Sequence, residues 1–262
     1  MSKEIKDTYF SKFKTKINHQ IIPEKFNLMI DEPHPLCLLA AGELQDYLSN
    51  QTDWIHNFGL SDDDETPIIG KMFGVLVVQN QENELGYLSA FSGKLAGCNQ
   101  HAKFVPPVFD LLTENGFLNP GMKELTHLNQ EIRDLEAQGY NENLTHIRDL
   151  KLKRKNHSIA LQNKIFNHYH FLNQAGAEKS LSEIFKDIGY KNPPAGAGEC
   201  AAPKLLQYAF QHKMKPIALA EFWWGQSPKS DFWKHGQFYP CCREKCEPIF
   251  KHMLSKIDIQ KG

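Results

Sequence analysis

Four of the six cysteines in this chain fall in its last quarter, at Cys200, Cys241, Cys242 and Cys246. Thiolates are strong zinc ligands, and a zinc site needs three or four such donors on a stiff frame. Cys242 and Cys246 stand four apart, so on one helix they face the same way. Cys200 closes a Gly-rich turn, Pro193-Pro-Ala-Gly-Ala-Gly-Glu-Cys200, which opens a predicted helix running from Ala201 to His212. The positive end of a helix dipole favours thiolate over thiol. The expected ligands for Zn2+ are therefore Cys200, Cys242 and Cys246, with water or substrate in fourth place and Cys241 in reserve. The competing reading is four thiols without a metal. Cys37 and Cys98 stand alone among apolar or small residues and read as ordinary thiols.

Other reactive or recognition residues cluster around these cysteines. Lys204 lies in the first turn of the predicted helix, where a cation opposes the dipole, which points to a bound phosphate or carboxylate. Gly196 and Gly198 leave backbone N–H groups free at the same helix start, an anion-friendly arrangement that turn-making explains equally well. Phe222-Trp223-Trp224 is aromatic at strand spacing and reads either as core packing or as a base-stacking platform. Trp233, Lys234 and His235 form a polar loop placed to overhang the same pocket. Farther off, Lys151, Lys153, Arg154 and Lys155 make a basic segment, read either as a solvated helix face or as a set of RNA phosphate contacts. His146-Ile-Arg-Asp-Leu150 resembles a kinase catalytic loop only superficially, because no Gly-rich loop or metal-binding Asp motif accompanies it. Ser61-Asp-Asp-Asp-Glu65 reads as a solvated loop, since nothing downstream completes a calcium-loop spacing.

These residues need a frame. Lys71–Gln79 and Leu85–Ser92 read as a β-hairpin, and Pro216–Gly225 as a third, apolar strand. Phe104-Val-Pro-Pro-Val-Phe109 is a rigid connection whose prolines bar a central strand. A helix is predicted over Leu36–Asn50, with Leu38, Leu39, Leu44 and Leu48 on one face, after an irregular lead-in over residues 1–35. A capping box, Ser180-Leu-Ser-Glu183, opens a short helix to Ile188 that Gly189 ends. A last helix is predicted from Cys242 to Leu254. Between residues 121 and 172 the pattern is helical. Leu125, Leu128, Ile132 and Leu135 recur at threes and fours, Gly139-Tyr-Asn141 interrupts, and Leu144, Ile147, Leu161, Ile165 and Phe171 resume. This predicts an antiparallel helical hairpin long enough to project as a coiled-coil arm.

The expected organisation is thus an α/β core made by residues 1–120 and 176–262, interrupted by the hairpin at 121–175. A formal net charge of -1 gives no global basic field for nucleic acid. The N-terminus lacks the apolar stretch of a signal peptide, and no apolar run approaches the length of a membrane span. A cytoplasmic protein with no membrane partner is expected.

Two resemblances sharpen the reading. The strands at 71–79 and 85–92, the helix after Cys200, the strand near 216–224 and the Pro-Cys cluster resemble the cytidine-deaminase-like α/β core, a three-layer fold. That family places a catalytic Glu two residues after its first metal ligand and then a Pro-Cys-x-x-Cys motif. Here Ala202 stands at the Glu position, Glu199 precedes Cys200 instead, and the second motif is one residue longer. The resemblance implies zinc, with Glu199 as the substitute acid–base.

The second resemblance covers about residues 30 to 254. Gly70-Lys-Met-Phe-Gly-Val-Leu-Val-Val78, Leu85 to Gly97, Phe104 to Phe109, Gly198-Glu-Cys-Ala-Ala-Pro-Lys-Leu-Leu206 and His235-Gly-Gln-Phe-Tyr-Pro240 carry it. They are similar to the long N-terminal region of some RluA-type RNA pseudouridine synthases. It implies an accessory, RNA-modification role beside a separate or missing catalytic domain, because that family's His-Arg-Leu-Asp motif does not occur here. RNA is then an expected partner. An autonomous zinc deaminase of a nucleoside or nucleic-acid base is the alternative function, and a metal-stabilised interaction module the second.

Overall fold

The structure is a computed structural model, and it describes residues 9–17, 22–61, 66–111, 113, 116–138, 143–255 and 257–260. The acidic residues at 62–65 and the hairpin interruption at 139–141 lie outside them. In chain order the elements are β1 (Ser11–Lys12), β2 (Phe26–Leu28), α1 (Pro35–Asn50), β3 (Lys71–Gln79), β4 (Leu85–Phe91), α2 (Leu118–Gln138), α3 (Leu144–His168) and β5 (His170–Leu172). There follow β6 (Glu178–Ser180), α4 (Leu181–Asp187), α5 (Ala201–Gln211), β7 (Lys215–Trp224), β8 (Phe238–Tyr239), α6 (Cys246–Met253) and β9 (Ile259–Gln260).

β3 and β7 are the centre of one mixed sheet, in the order β1-β4-β3-β7-β2-β9 with β8 also on β7. β3 runs antiparallel to both β4 and β7, whereas β2 runs parallel to β7 and β9. Side chains alternate across this sheet, and each face is covered. On one face α1 packs Leu36, Ala40, Leu44 and Leu48 against Phe73, Val75, Val77, Ala220 and Phe222. On the other, Ala201, Leu205 and Leu206 of α5, Phe185 of α4 and Met253 of α6 cover Leu76, Val78, Leu88 and Leu219. The result is a mixed α/β fold in three layers, helix–sheet–helix.

Local chemistry sets several boundaries. Pro35 occupies the first turn of α1, and His34 Nδ1 accepts the Leu36 N–H at 3.2 Å. The capping box at α4 forms as predicted, with Glu183 Oε2 accepting the Ser180 N–H at 2.7 Å. Pro216, which has no N–H to donate, coincides with the register shift where β7 bulges against β3. No strand forms at Phe104–Phe109, as its prolines require, although the Val105 N–H bonds the Ser89 carbonyl at 2.9 Å.

Several expectations change. In α1 the face on the sheet is set by Leu36, Ala40, Leu44 and Leu48, while Leu38 is exposed. Phe171, expected in the helical hairpin, lies in β5. The lead-in over residues 1–35 is not wholly irregular, because β2 lies inside the sheet between β7 and β9. A three-residue strand has too short a pattern to stand out from a loop. The last helix starts at Cys246 rather than Cys242, and Cys242 belongs to the turn that precedes it.

The expected helical pair is present as α2 and α3. Leu128, Ile132, Ile147 and Leu150 form a small core of their own between the two helices. Lys153 pairs with Glu124 and Lys151 with Glu136, so early residues of α2 oppose later ones of α3. At the body end Gly121 is in close contact with Leu161, and Phe166 joins the core beneath the sheet.

Candidate metal centre

The turn before α5 is set by Gly198. Its φ is +90°, and a Cβ there would lie 2.9 Å from the Tyr169 ring. The chain leaves this turn extended, and Cys200 takes the N-cap of α5 with φ -67° and ψ 157°. α5 packs onto β3 at Gly74, which offers no side chain. A Cβ at Gly74 would meet Ala201 and Leu205 at 3.1 Å.

The second arm of the site begins at β8. Tyr239 pairs with Glu221 and Phe238 with Phe222 in antiparallel register, so the chain after β8 runs back from the end of β7 toward its middle. The carbonyl of Cys242 then accepts the N–H groups of Cys246 and Glu247, both at 3.2 Å. That helical turn keeps the four-residue spacing effective even though Cys242 precedes α6. The sulfurs of Cys242 and Cys246 lie 3.3 Å apart. Those of Cys200, Cys242 and Cys246 all lie within 4.8 Å of one another. Tetrahedral zinc with Zn–S bonds of about 2.3 Å spaces its sulfurs about 3.8 Å apart, so the three fit one ion after small adjustments. Cys246 is buried, Cys200 half-buried and Cys242 exposed.

The electrostatics of the trio are shared. Hydrogen bonds from Cys200 and Cys246, with the N–H groups of Lys245 and Cys246, hold Cys242 far below the usual thiol range. The same hydrogen bonding with Cys242 pushes Cys200 up. Cys246 is raised by its bonds to Cys200 and Cys242 and by burial. One thiolate stabilised by two thiols is the expected metal-free state, and a bound cation displaces the remaining protons.

Cys241 is not one of this group. Burial, and then the neighbouring Glu221 carboxylate, raise its thiol well above the usual range. Glu221 is a residue that sequence reasoning passed over. It sits at the middle of β7 with 5% of its surface exposed, and its Oε1 accepts the Ala202 N–H at 3.1 Å. Burial is the main cause that lifts its carboxyl to about 7. The available signal was a single carboxylate inside Pro216–Trp224, otherwise an unbroken apolar run.

The other expected site residues separate into groups. Lys204 is buried, and its ammonium donates to the Phe91 carbonyl at 2.8 Å and the Gly93 carbonyl at 3.4 Å. Burial lowers it to about 8, against the opposing charge of Glu199. Glu199 also acts on Lys71 and Tyr169, and its own carbonyl accepts the Gly93 N–H at 2.9 Å. The donor atoms of Glu199, like those of Cys241, lie outside the thiol trio.

Trp224 points into the core under α1 and packs on His235 at 4.3 Å between ring centres. His235 Nδ1 in turn accepts the Gly225 N–H at 3.0 Å. By strand alternation Trp223 lies on the opposite face, the one that carries Glu221. Trp233 stacks on it at 5.2 Å and 20°. The Trp223 indole N–H is buried with no hydrogen-bond partner among the described residues.

In the hairpin, Lys151 and Lys153 pair with glutamates of α2 at 2.7 and 3.3 Å, and Arg154 bonds Asn129 at 2.8 Å. Lys155 is exposed. Shallow recesses of about 590 and 530 Å³ run along α2 and α3, lined by Met122 and His127 and by Leu152 and His157, away from the thiols. No helix among the described residues is long and apolar enough to cross a membrane. No protein-family model, curated protein or solved structure matches this chain.

Proposed function

We propose that the chain holds Zn2+ at Cys200, Cys242 and Cys246 on a deaminase-like frame and serves RNA modification as an accessory region of the RluA-type pseudouridine synthase kind. The observation that carries the metal reading is the meeting of three thiols from two separate helix starts. Core packing accounts for Cys246 and in part for Cys200, but not for the exposed Cys242. Supporting the wider reading, the segments that carry the synthase resemblance pack against one another. Gly93 bonds Glu199, Lys204 bonds Phe91 and Val105 bonds Ser89, so 85–97, 104–109 and 198–206 build one side of the site.

The metal reading is tested by elemental analysis of the purified protein. About one zinc per chain is expected, and each of Cys200→Ser, Cys242→Ser and Cys246→Ser should weaken it by more than the roughly 10–100-fold typical of outer-shell partners. A metal-free wild type after zinc reconstitution sinks the reading. The accessory role is tested by mixing the zinc-loaded protein with a synthase catalytic domain that carries the His-Arg-Leu-Asp motif. Association and a higher pseudouridine yield are expected, and the absence of both rejects that role. Neutralising Lys151, Lys153, Arg154 and Lys155 should reduce a salt-dependent RNA affinity if α3 contacts phosphate.

A zinc deaminase is the second reading, and one observation favours it. The Glu221 carboxylate bonds the N–H of Ala202, the position where the deaminase pattern carries its acid–base Glu. Ammonia release from cytidine, adenosine or guanine would support it, with Glu221→Gln lowering the rate by about 10²–10⁴-fold and Glu199→Gln less. Absence of ammonia from all of them leaves the accessory reading alone.

A further inference from the structure

Four cysteines are close enough in the chain to close a tetrahedron around one metal, yet only three converge. The difference matters chemically. Closed four-thiolate sites are structural, whereas a site with three protein ligands keeps a position for water or another small donor. We propose that Glu221 keeps this centre open, by holding the Cys241 thiol out of the ligand set. This rests on the zinc reading above and assigns the fourth position to an exchangeable oxygen or nitrogen donor.

Three observations converge. The first is register. β8 pairs with β7 so that Tyr239 stands opposite Glu221, which delivers Cys241 to the Glu221 side chain just before the chain turns to Cys242. The second is proximity: Cys241 follows Tyr239 by two residues, on the Glu221 side of the pairing, and its thiol and the Glu221 carboxylate act on each other. The third is that Glu221 cannot swing away easily. Its Oε1 is tied to the Ala202 N–H, its Cγ packs beside Gly74, and its neighbours Ala220 and Phe222 have no exposed surface. Fixed at one end by α5 and set in the central strand, the carboxylate is a rigid anchor for the spare thiol. Removing the anchor frees a thiol adjacent in sequence to the ligand Cys242, and four-coordinate zinc readily accepts it. Glu221 is in this sense a positioning residue, and it acts on the metal through Cys241. The exposure of Cys242 leaves the centre accessible from solvent on that side.

Cobalt(II) substitution of the full chain reads this directly, since sulfur-to-cobalt charge-transfer absorbance scales with the number of thiolates. Cys241→Ser should leave the wild-type absorbance unchanged. Glu221→Leu should raise it by about one third, four thiolates replacing three. Imidazole, used as the probe ligand, should shift the visible d–d bands of the wild type and leave those of Glu221→Leu unchanged. The double variant Glu221→Leu/Cys241→Ser should return to wild-type absorbance and regain the imidazole response. A loss of about a quarter of the absorbance in Cys241→Ser would show that Cys241 is already a ligand and overturn the proposal. A wild type indifferent to imidazole, or a folded Glu221→Leu with unchanged absorbance, would overturn it as well. Should Glu221→Leu not fold, the Cys241→Ser and imidazole measurements still decide. Failure of the wild type to bind cobalt or zinc at all is a different result, which removes the metal reading itself.

Discussion

At the scale of single residues, the meeting of Cys200, Cys242 and Cys246 was the most legible part of this protein. Thiols four apart after a proline, and a further thiol at a helix start, are combinations that few other roles require. Choosing between Cys241 and Cys242 was harder in principle, because adjacent residues differ only in direction, and direction is set by β8 and the turn after it. Glu221 was not read at all, because its partners, Ala202 and Cys241, are supplied by two other elements. Lys204 was singled out for its position in the helix dipole, and the structure gives it two backbone partners. Its ammonium binds the Phe91 and Gly93 carbonyls, joining the end of β4 to α5. This has a pH signature. Lys204 falls from an ordinary value of 10.5 to about 8 on folding. Between those values the unfolded chain binds the extra proton, so Lys204 makes stability rise with pH across that window. The rise should reach about 3 kcal/mol and disappear in Lys204→Met. Urea midpoints measured from neutral pH to about 10.5 would show it.

At the scale of elements, periodicity served the long pieces well. The two central strands, the Leu36–Asn50 helix and the paired helices at α2 and α3 all stand close to where alternation and three-and-four spacing put them. Short elements escaped. β2, β5, β6 and β9 are two or three residues each, too few to show a period. The hairpin is the element with the most independent core, since Leu128, Ile132, Ile147 and Leu150 pack among themselves. Ile132→Asp with Ile147→Asp should therefore melt the outer hairpin, by about 2–5 kcal/mol or more per site, and leave the metal stoichiometry intact. Circular dichroism at 222 nm, together with zinc analysis, would separate the two effects. Loss of zinc along with the helix signal would mean that α2 and α3 hold the thiols in place. The basic face of α3 belongs to this scale too. Its Lys151 and Lys153 are partnered by α2 glutamates in exposed pairs of about 0–1 kcal/mol each. Such pairs are weak enough to exchange for phosphate, and raised salt should weaken them in any case.

For the whole molecule, a metal bound by the three thiols would link the start of α5 to the turn before α6 and so couple two parts of the same layer. Zinc bound only by the folded chain should stabilise it by about 2.7 kcal/mol at a free concentration of a hundred times Kd. A domain of this length should then melt about 5–10 °C higher than after chelation. Differential scanning calorimetry with and without a chelator measures the difference, and Cys246→Ser should abolish it. An unchanged transition would mean that the metal is absent or bound without linkage to folding.

What the amino-acid order settled alone is local: which stretches are helix or strand, where α4 is capped, and which thiols carry the spacing of a metal site. These depend on neighbours within a turn or two, where sterics and periodicity are strong. Strand order, the insertion of β2 beside β7, and the placing of Trp224 rather than Trp223 on the α1 face needed the tertiary structure. So did the contact between Glu221 and Cys241. Each depends on pairing between distant segments, and a single sequence does not specify the partner of a buried polar group until the sheet has formed. The cysteines that announced the site are thus sequence information, whereas the number of thiols that reach a metal is decided by the fold.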